Sequence, residues 1–254
     1  MNAETSLTAT QKLSAYRRLR HSLAQINYLR SSYRLARALG ALIVHGGARS
    51  KTELDGEFLS GPDPWNYAND TAQHSRVHGE LQMLDAVRGE DRFPKVLEMG
   101  CAEGIFTEQL ALRCDSLLAV DISPIALERA RERCRSHGNI RFLELDIRTG
   151  SPDGNYDLIV AIHSIEYLRS PVDIHRARAS LVEWLCPGGF LLLGTMREVD
   201  AIEDSWWSRP LLRGGGRINA FFAQHPALRT VQKAEFRLNG DRISGDILFQ
   251  KVER

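Results

Sequence analysis

The short stretch Gly100-Cys101-Ala102-Glu103-Gly104 is the part of this chain whose residue types and spacing best suit chemistry. It follows an apolar run at 96–99, and a second apolar run at 117–120 ends in Asp121. A strand, a glycine turn, a helix and a second strand would place a carboxylate about twenty residues after the turn, where a nucleotide ribose needs a hydrogen-bond acceptor. The stretch therefore predicts a nucleotide or nucleoside site.

The form of the turn narrows the class of ligand. A dinucleotide fingerprint, G-x-G-x-x-G, needs glycine where Ala102 and Ile105 stand here. The chain also contains no G-x-x-x-x-G-K-[ST] phosphate loop. We therefore expect a nucleoside without phosphates, and the carboxylate of Asp121 also suits a cationic cofactor.

Alternating strands and helices must position these residues. Strands are predicted at 95–99, 117–121, 140–145, 157–162 and 190–195, with helices at 71–88, 105–113, 124–136, 170–185 and 217–224. Two further runs, 229–238 and 242–252, are joined at Asn239-Gly240-Asp241, which predicts a hairpin. The predicted fold class is α/β, with a doubly wound parallel sheet and an antiparallel C-terminal hairpin.

The composition of the chain is that of an ordinary globular protein. It has 254 residues, 43% hydrophobic and 26% charged, with a formal net charge of +1. That charge gives no general attraction to nucleic acid or to anionic membranes.

The N-terminal residues depart from this balance. Glu4 is the single acidic residue among residues 1–50, against eight lysines and arginines. A helical pattern at 10–44 predicts a basic amphipathic extension, residues 1–47. Three roles stay open for it: packing on the main domain or in a homodimer, lying on an anionic membrane surface, or covering the site.

A turn-rich segment at 48–70 is predicted to link this extension to the main domain, residues 71–254. Trp65 and Tyr67 are aromatic residues in an otherwise polar loop just before the first strand. We expect them to cover a ligand, Trp65 on the cofactor side and Tyr67 on the substrate side. Filling a gap in the fold is the alternative.

No metal site is predicted. His74 and His78 lie four residues apart on a predicted helix, but no third ligand is identifiable. The cysteines are widely spaced, which favours buried small residues in a reducing compartment over metal ligands. These cysteines are Cys101, Cys114, Cys134 and Cys186.

The location of the protein is expected to be cytoplasmic. The sequence has no apolar window of about 18 residues that could span a membrane. Its first residues also lack the apolar core of a signal peptide. Membrane association through the basic extension is the open alternative.

Residues 95–196 resemble the class I S-adenosylmethionine-dependent methyltransferases. Residues 96–104 look like the first motif of that family, with Ala102 in place of its usual middle glycine. Residues 119–123 and 145–147 look like the second and third motifs, and residues 185–189 resemble the LxPGG turn. The predicted hairpin matches the antiparallel end of the family's seven-stranded sheet.

This resemblance implies a Rossmann-like methyltransferase fold and S-adenosylmethionine as the cofactor. By resemblance, Asp121 holds the ribose, Ile122 packs on the adenine and Asp146 lies near the adenine amino group. With the covering tryptophan and a histidine at the fourth strand, the predicted cofactor-binding residues are Trp65, Glu98, Gly100, Ala102, Gly104, Asp121, Ile122, Asp146, Ile147 and His163.

Within the superfamily, Asp63-Pro64-Trp65 ahead of the core looks most like the NodS group, which acts on N-linked positions of chito-oligosaccharide precursors. The resemblance implies a methyltransferase acting at nitrogen or oxygen of a small acceptor: a sugar, a glycolipid or a secondary metabolite. A nucleic-acid methyltransferase is one alternative. A non-catalytic S-adenosylmethionine-binding scaffold for a membrane or partner is another.

The end of the fourth predicted strand supplies the catalytic candidates, because open α/β sheets bind ligands at the carboxyl ends of their strands. His163 is predicted as the general base, with a contact to the cofactor or a helix cap as the equal alternative. Glu166 is the next catalytic candidate. Tyr167 is a candidate for substrate contact, with a place in the core as the alternative.

Trp206 and Trp207 could form a stacking platform for the acceptor, or they could close a hydrophobic seam or a dimer interface. Residues 163–166 do not match the Asn/Asp/Ser-Pro-Pro-aromatic turn of nucleic-acid amino methyltransferases. Nucleic acid is therefore not an expected partner.

Overall fold

A computed structural model describes residues 50–61, 63–67, 69–168, 170–198, 215–238 and 242–253. Three predictions fall outside these residues: the basic extension at 1–47, the Trp206-Trp207 platform and the turn at 239–241.

Seven strands form a single sheet. They are β1 Phe93–Met99, β2 Cys114–Asp121, β3 Ile140–Glu144, β4 Tyr156–Ile162, β5 Leu185–Glu198, β6 Leu228–Arg237 and β7 Arg242–Lys251. Their order across the sheet is β3-β2-β1-β4-β5-β7-β6. The first five strands are parallel, and β7 is antiparallel to both of its neighbours. This confirms the predicted doubly wound sheet with an antiparallel C-terminal pair.

Six described helices accompany the sheet: α1 Lys51–Leu59, α2 Thr71–Arg88, α3 Ile105–Ala111, α4 Pro124–Arg133, α5 Pro171–Trp184 and α6 Gly215–Ala223. A 3-10 turn, Ile165–Leu168, follows β4. Ser123 and Ser170 cap α4 and α5 with their side chains, each followed by proline. Local cap chemistry therefore fixed both helix starts as predicted. None of the described helices is long and apolar enough to cross a membrane.

Several elements differ from their predicted boundaries by one to three residues, and two differ by more. Residues 51–59 form a helix within the segment predicted as a linker, and Ser50 and Glu53 make a capping box at its start. Strand β5 begins at Leu185, and not at the predicted residue 190, because the chain pairs with β4 through Tyr156 before a register shift.

The core lies on both faces of the sheet. Leu97, Ile159 and Leu191 pack on one face, and their neighbours Val96, Leu158 and Leu192 pack on the other. Burial on both faces explains why these strands are continuous apolar runs and not alternating ones. Burial of each such side chain stabilises the fold by about 1.5–3 kcal/mol. The polar turns lie at the carboxyl ends of the parallel strands.

Candidate active site

A cavity of about 600 Å³ opens at the carboxyl edge of the parallel strands. The predicted site residues that line it are Trp65, Tyr67, Gly100, Ala102, Asp121, Ile122, Asp146, Ile147, His163, Glu166 and Tyr167. These residues come from five separate chain segments, and the sheet brings them to one place. Glu98 and Gly104 do not line this cavity.

The turn after β1 depends on the backbone freedom of glycine. Gly100 has φ +77°, and a Cβ there would lie 2.8 Å from Cβ of Ser164. Ala102 has φ +46°, a left-handed conformation that costs a side chain about 1–2 kcal/mol. Its N–H donates to Oδ2 of Asp121 at 2.9 Å, which offsets the strain. An alanine is therefore held where the methyltransferase motif usually has glycine.

Asp121 ties two turns together at the cavity wall. Its Oδ2 accepts from Ala102 N, and its Oδ1 accepts from Ser123 N at 2.9 Å. The side chain is buried, and burial raises the pKa of this carboxyl while the two amides oppose that shift. Each oxygen keeps a lone pair for a further donor.

Glu98 and Gly104 have different surroundings from those predicted. Gly104 packs on α4, where a Cβ would lie 3.0 Å from Cα of Ala130, so its geometry supports a packing role. Glu98 lines a second cavity of about 50 Å³ behind the turn. Burial raises the pKa of Glu98 to about 7, with the neighbouring Thr107 side chain acting in the opposite sense.

An apolar wall occupies the β2–β3 side of the large cavity. It consists of Leu54 and Phe58 from α1 with Ile122, Leu145 and Ile147. Phe58 meets Trp65 edge to face, with ring centroids 4.9 Å apart. The residues from α1 were missed in the sequence, where the S-x-x-E capping box at Ser50 was the available signal.

Asp146 is paired with Arg148 at the rim of this wall. Arg148 Nη2 lies 2.6 Å from Asp146 Oδ2, and Nε lies 2.9 Å from Oδ1. The guanidinium holds the pKa of this carboxyl below its usual range. Asp146 is therefore a carboxylate whose position is fixed before any ligand binds.

Arg129 fastens α1 and the loop after it to the core. Its guanidinium donates to the carbonyl oxygens of Phe58 at 2.8 Å and Gly61 at 2.9 Å. It also pairs with Oε1 of the buried Glu103 at 2.7 Å. A Ser123–Asp55 hydrogen bond adds a second attachment. The apolar wall from α1 is thus held in place by α4.

His163 and Glu166 form a pair at the other end of the cavity. His163 Nδ1 lies 3.2 Å from Glu166 Oε1, and His163 Nε2 lies 3.0 Å from Ser244 Oγ. Oε1 of Glu166 also accepts from Met196 N at 3.1 Å. Both ring nitrogens thus have protein partners, whereas Oε2 of Glu166 is buried with no hydrogen-bond partner among the described residues.

The remaining residues of this end come from distant elements. Gln73 of α2, Met196 of β5 and Arg242 of β7 join Tyr67 and Tyr167 around the cavity. The ring centroid of Tyr67 lies 5.8 Å from Cζ of the buried Arg76. Sequence patterns gave no signal for the first three, because each belongs to an element whose pattern predicts only a helix or strand.

No group of three or more metal-ligating side chains occurs within the described ranges, and the absence of a metal stays a prediction. His78 pairs with Gln82 at the surface, 3.0 Å apart. All four cysteines are free; Cys101, Cys114 and Cys134 are buried, in agreement with their predicted packing role.

Comparison with known proteins gives consistent matches. Residues 48–253 match the sequence model of the Nodulation protein S (NodS) family. Nodulation protein S of Bradyrhizobium diazoefficiens is 36% identical over 148 residues, which is 58% of this chain and 68% of that protein. Nodulation protein S of Rhizobium tropici is 32% identical over 142 residues, covering 56% of this chain and 58% of that protein.

A solved structure matches a larger share of the chain. The crystal structure of N-methyltransferase NodS from Bradyrhizobium japonicum WM9 in complex with S-adenosyl-L-homocysteine aligns with a TM-score of 0.71 at 25% identity. The alignment covers 81% of this chain and 100% of that one.

Proposed function

Because this chain belongs to the NodS family of S-adenosylmethionine-dependent methyltransferases, we propose that it methylates an amine of a sugar acceptor. The predicted superfamily, its NodS group and methyl transfer to a small acceptor are confirmed by the family match and the solved relative. We propose, beyond this, that the acceptor atom is a nitrogen, that the acceptor is a sugar, and that the residues have the roles given below.

The cavity residues fit S-adenosylmethionine. The turn at Gly100 leaves room that a side chain would fill, since a Cβ there would meet Ser164. We assign this turn to the amino-acid tail, Asp121 to the ribose, and the apolar wall with Ile122 and Ile147 to the adenine. When bound, the cofactor supplies a methyl group already activated on a sulfonium, so the protein mainly positions the acceptor and excludes water.

Glu166 lines the cavity, and its Oε2 is a buried acceptor with no hydrogen-bond partner among the described residues. This unsatisfied oxygen, which a ligand donor would satisfy, carries the proposal of an amine. A carboxylate oxygen only accepts hydrogen bonds, and its best partner is the N–H of a cationic amine. Glu166 would then take one proton from the acceptor ammonium and leave a nitrogen lone pair free. The solved relative from Bradyrhizobium japonicum is an N-methyltransferase, which supports the same choice.

His163 receives a different role from the predicted one. Both of its ring nitrogens have protein partners, so the geometry does not support it as the base that takes the proton from the acceptor. We propose that it orients Glu166, to which it holds a 3.2 Å contact.

A matched pair of acceptors tests this function. The full chain is incubated with S-adenosylmethionine and a chito-oligosaccharide that has one free amine, or with the same oligosaccharide fully N-acetylated. We expect one methyl group on the free amine by mass spectrometry and none on the acetylated control. Methylation of a hydroxyl, or of a nucleic acid in preference to both sugars, would contradict the proposal.

Two variants separate the parts of the site. Glu166→Gln should lower kcat by about 100-fold or more, the usual contribution of a positioned acid or base. Calorimetry with S-adenosylhomocysteine should show unchanged affinity for this variant and weakened affinity for Asp121→Ala. Unchanged affinity in Asp121→Ala would remove the assignment of the ribose site.

The basic extension is assigned a contact outside the cavity. We propose that residues 10–44 contact an anionic membrane surface or a second copy of the chain. The support is the excess of basic residues over Glu4 in the first fifty residues and their amphipathic spacing.

A further inference from the structure

A chain of polar groups runs from His163 away from the cavity into the interior. Ser244 Oγ, 3.0 Å from His163 Nε2, lies 2.8 Å from Oδ1 of Asp246. The carboxyl of Asp246 lies beside that of Glu80, near enough for each to shift the pKa of the other. Ser244 and Glu80 are 0% exposed and Asp246 is 1% exposed, so these groups lie behind the site, away from solvent.

The hydrogen-bond roles along this chain are fixed by the number of protons available. Ser244 has one hydroxyl proton, which it donates to Asp246, so its oxygen accepts from His163 Nε2–H. At the other side of the ring, Oε1 of Glu166 already accepts from Met196 N and takes a second donor from Nδ1. The ring therefore donates from both nitrogens.

Two buried carboxyls that lie side by side disfavour each other's ionisation. Oε2 of Glu80 and Oδ2 of Asp246 each lack a hydrogen-bond partner in the described part of the chain, and a proton held between the two carboxyls would satisfy both. Burial raises the pKa of Glu80 well above its usual value; Arg76 opposes that shift and Asp246 adds to it. Burial also raises the pKa of Asp246. The pair is therefore assigned one proton between its two carboxyls and one negative charge.

The charges of the cluster then balance. Arg76, which is 2% exposed, pairs with Glu80 and donates from Nε to Gln73 at 2.9 Å. Its charge and that of the His163 ring offset the one negative charge of the Glu80–Asp246 pair and the carboxylate of Glu166. Balance matters because an uncompensated charge at this depth is strongly destabilising.

The backbone of β5 leaves space for this arrangement. A Cβ on Gly194 would lie 2.7 Å from Oδ1 of Asp246, so a larger residue would displace the carboxylate. His163 N also donates to the carbonyl oxygen of Gly194 at 2.8 Å, which holds the left-handed backbone of His163 beside it. Gly194 thus lies beside both residues that Ser244 connects, His163 and Asp246.

We propose that Asp246 and Glu80 are positioning residues for methyl transfer. Through Ser244 they hold His163 as a donor to Oε1 of Glu166, so that Oε2 of Glu166 is left without a protein partner for the acceptor amine. The proposal rests on the proposed function for its acceptor, but the hydrogen-bond chain exists without a ligand.

Nitrogen NMR of the ligand-free, full-length protein tests the chain directly. The ring signals of His163 are assigned by their loss in His163→Gln. We expect both ring nitrogens to carry a proton in the wild type at neutral pH, and one of them to lose it in Asp246→Asn. Asp85→Asn is the matched control. Asp85 lies near the C-terminal end of α2, where it pairs with Arg113, and its substitution should leave the His163 ring unchanged.

Infrared spectroscopy tests the proton held by the Glu80–Asp246 pair. A protonated carboxyl has a C=O stretch separate from that of carboxylates, and we expect such a band at neutral pH in the wild type. The difference spectrum of wild type minus Glu80→Gln should contain this band, because protonated Glu98 contributes equally to both proteins. Asp85→Asn should match the wild type. A His163 ring that is the same in Asp246→Asn and the wild type, or a difference spectrum without this band, would overturn the proposal.

Kinetics connect the chain to the reaction. Asp246→Asn should lower kcat about tenfold or more and change its pH profile, with KM for S-adenosylmethionine within about twofold, because the change acts on the acceptor side. If Asp246→Asn does not fold, Ser244→Ala breaks the same chain without changing a charge, and its kcat should fall similarly. An unchanged kcat and pH profile in the variant that folds would also overturn the proposal.

The two proposals fail separately. A wild-type enzyme that methylates no amine while the NMR and infrared results hold would contradict the amine acceptor only. An enzyme that methylates the amine normally with His163 unaffected by Asp246→Asn would contradict the positioning role only.

Discussion

At the scale of single residues, backbone strain is concentrated at the cavity. Asn66, Ala102 and His163 are the non-glycine residues with positive φ among those that the structure describes, and all three line the cavity. Each conformation costs about 1–3 kcal/mol unless its surroundings hold it. Asp121 holds Ala102, and Gly194 with Ser244 holds His163. Backbone strain is thus found in the turns whose residues line the cavity.

Glu98 should make folding stability depend on pH. Its pKa is raised to about 7 in the folded protein, so the folded state binds the proton more tightly than the unfolded state does. This contribution is fully present below its usual pKa and is lost as pH rises to about 7. Relative to Glu98→Gln, the wild type should lose about 2–3 kcal/mol of unfolding free energy between pH 5 and pH 8.

Urea denaturation of the ligand-free protein at several pH values measures this difference. Glu132→Gln, whose carboxyl side chain is 71% exposed, is the control and should follow the wild type. Parallel pH curves for Glu98→Gln and the wild type would mean that the Glu98 proton is not coupled to folding.

At the scale of elements, helix α1 is an added layer on a sheet that is otherwise complete. Its Phe58 is buried, and it presents Leu54 and Phe58 to the cavity. The helix is nine residues long, too short to be stable alone in water. Its position therefore depends on attachments to α4, of which Arg129 makes two, to Phe58 and to Gly61 in the loop after the helix.

Arg129→Ala should loosen this layer. The change removes two bonds to carbonyl oxygens and leaves the buried carboxylate of Glu103 without its ion pair, which should cost about 2 kcal/mol. For a chain of this size the thermal midpoint should fall by about 4–8 °C. Affinity for S-adenosylhomocysteine should also weaken, because Leu54 and Phe58 lose their fixed positions.

Thermal unfolding and calorimetry measure both effects. Arg135→Ala removes a surface ion pair whose side chains are 74% and 71% exposed, and it should change neither quantity appreciably. If Arg129→Ala kept full cofactor affinity despite a lower midpoint, α1 would have a structural role and no part in binding.

At the scale of the whole molecule, the cavity and the basic extension are separable in sequence. The residues that line the cavity lie between Leu54 and Arg242, and the family match begins at residue 48. Folding and cofactor binding should therefore need residues 48–254 only. The extension would instead determine where the enzyme acts or what it assembles with.

Deletion of residues 1–47 tests this separation. We expect the thermal midpoint and the affinity for S-adenosylhomocysteine to stay close to those of the full chain. Co-sedimentation with anionic liposomes should fall if the extension contacts membranes, whereas sizing chromatography should show a smaller species if it contacts a second copy. A truncated protein with lost cofactor binding would show that the extension contributes to the site.

The sequence by itself determined the parts of this protein that depend on local chemistry. Buried parallel strands produce apolar runs. The tight turn after the first strand needs a glycine, here Gly100, and a ribose site needs an acid about twenty residues later, here Asp121. Proline after Ser123 and Ser170 likewise marked two helix starts. These signals were sufficient for the sheet, its antiparallel end and the family of the enzyme.

The tertiary structure alone decided which distant polar groups meet. Ser244 is 81 residues from His163, and Glu80 and Asp246 lie on elements whose patterns predict a helix and a strand only. Periodicity shows which face of an element is buried, but it does not show what lies across from a buried carboxyl. The partners of His163, and with them its role beside Glu166, follow only once β7 and α2 are packed against β4 and β5.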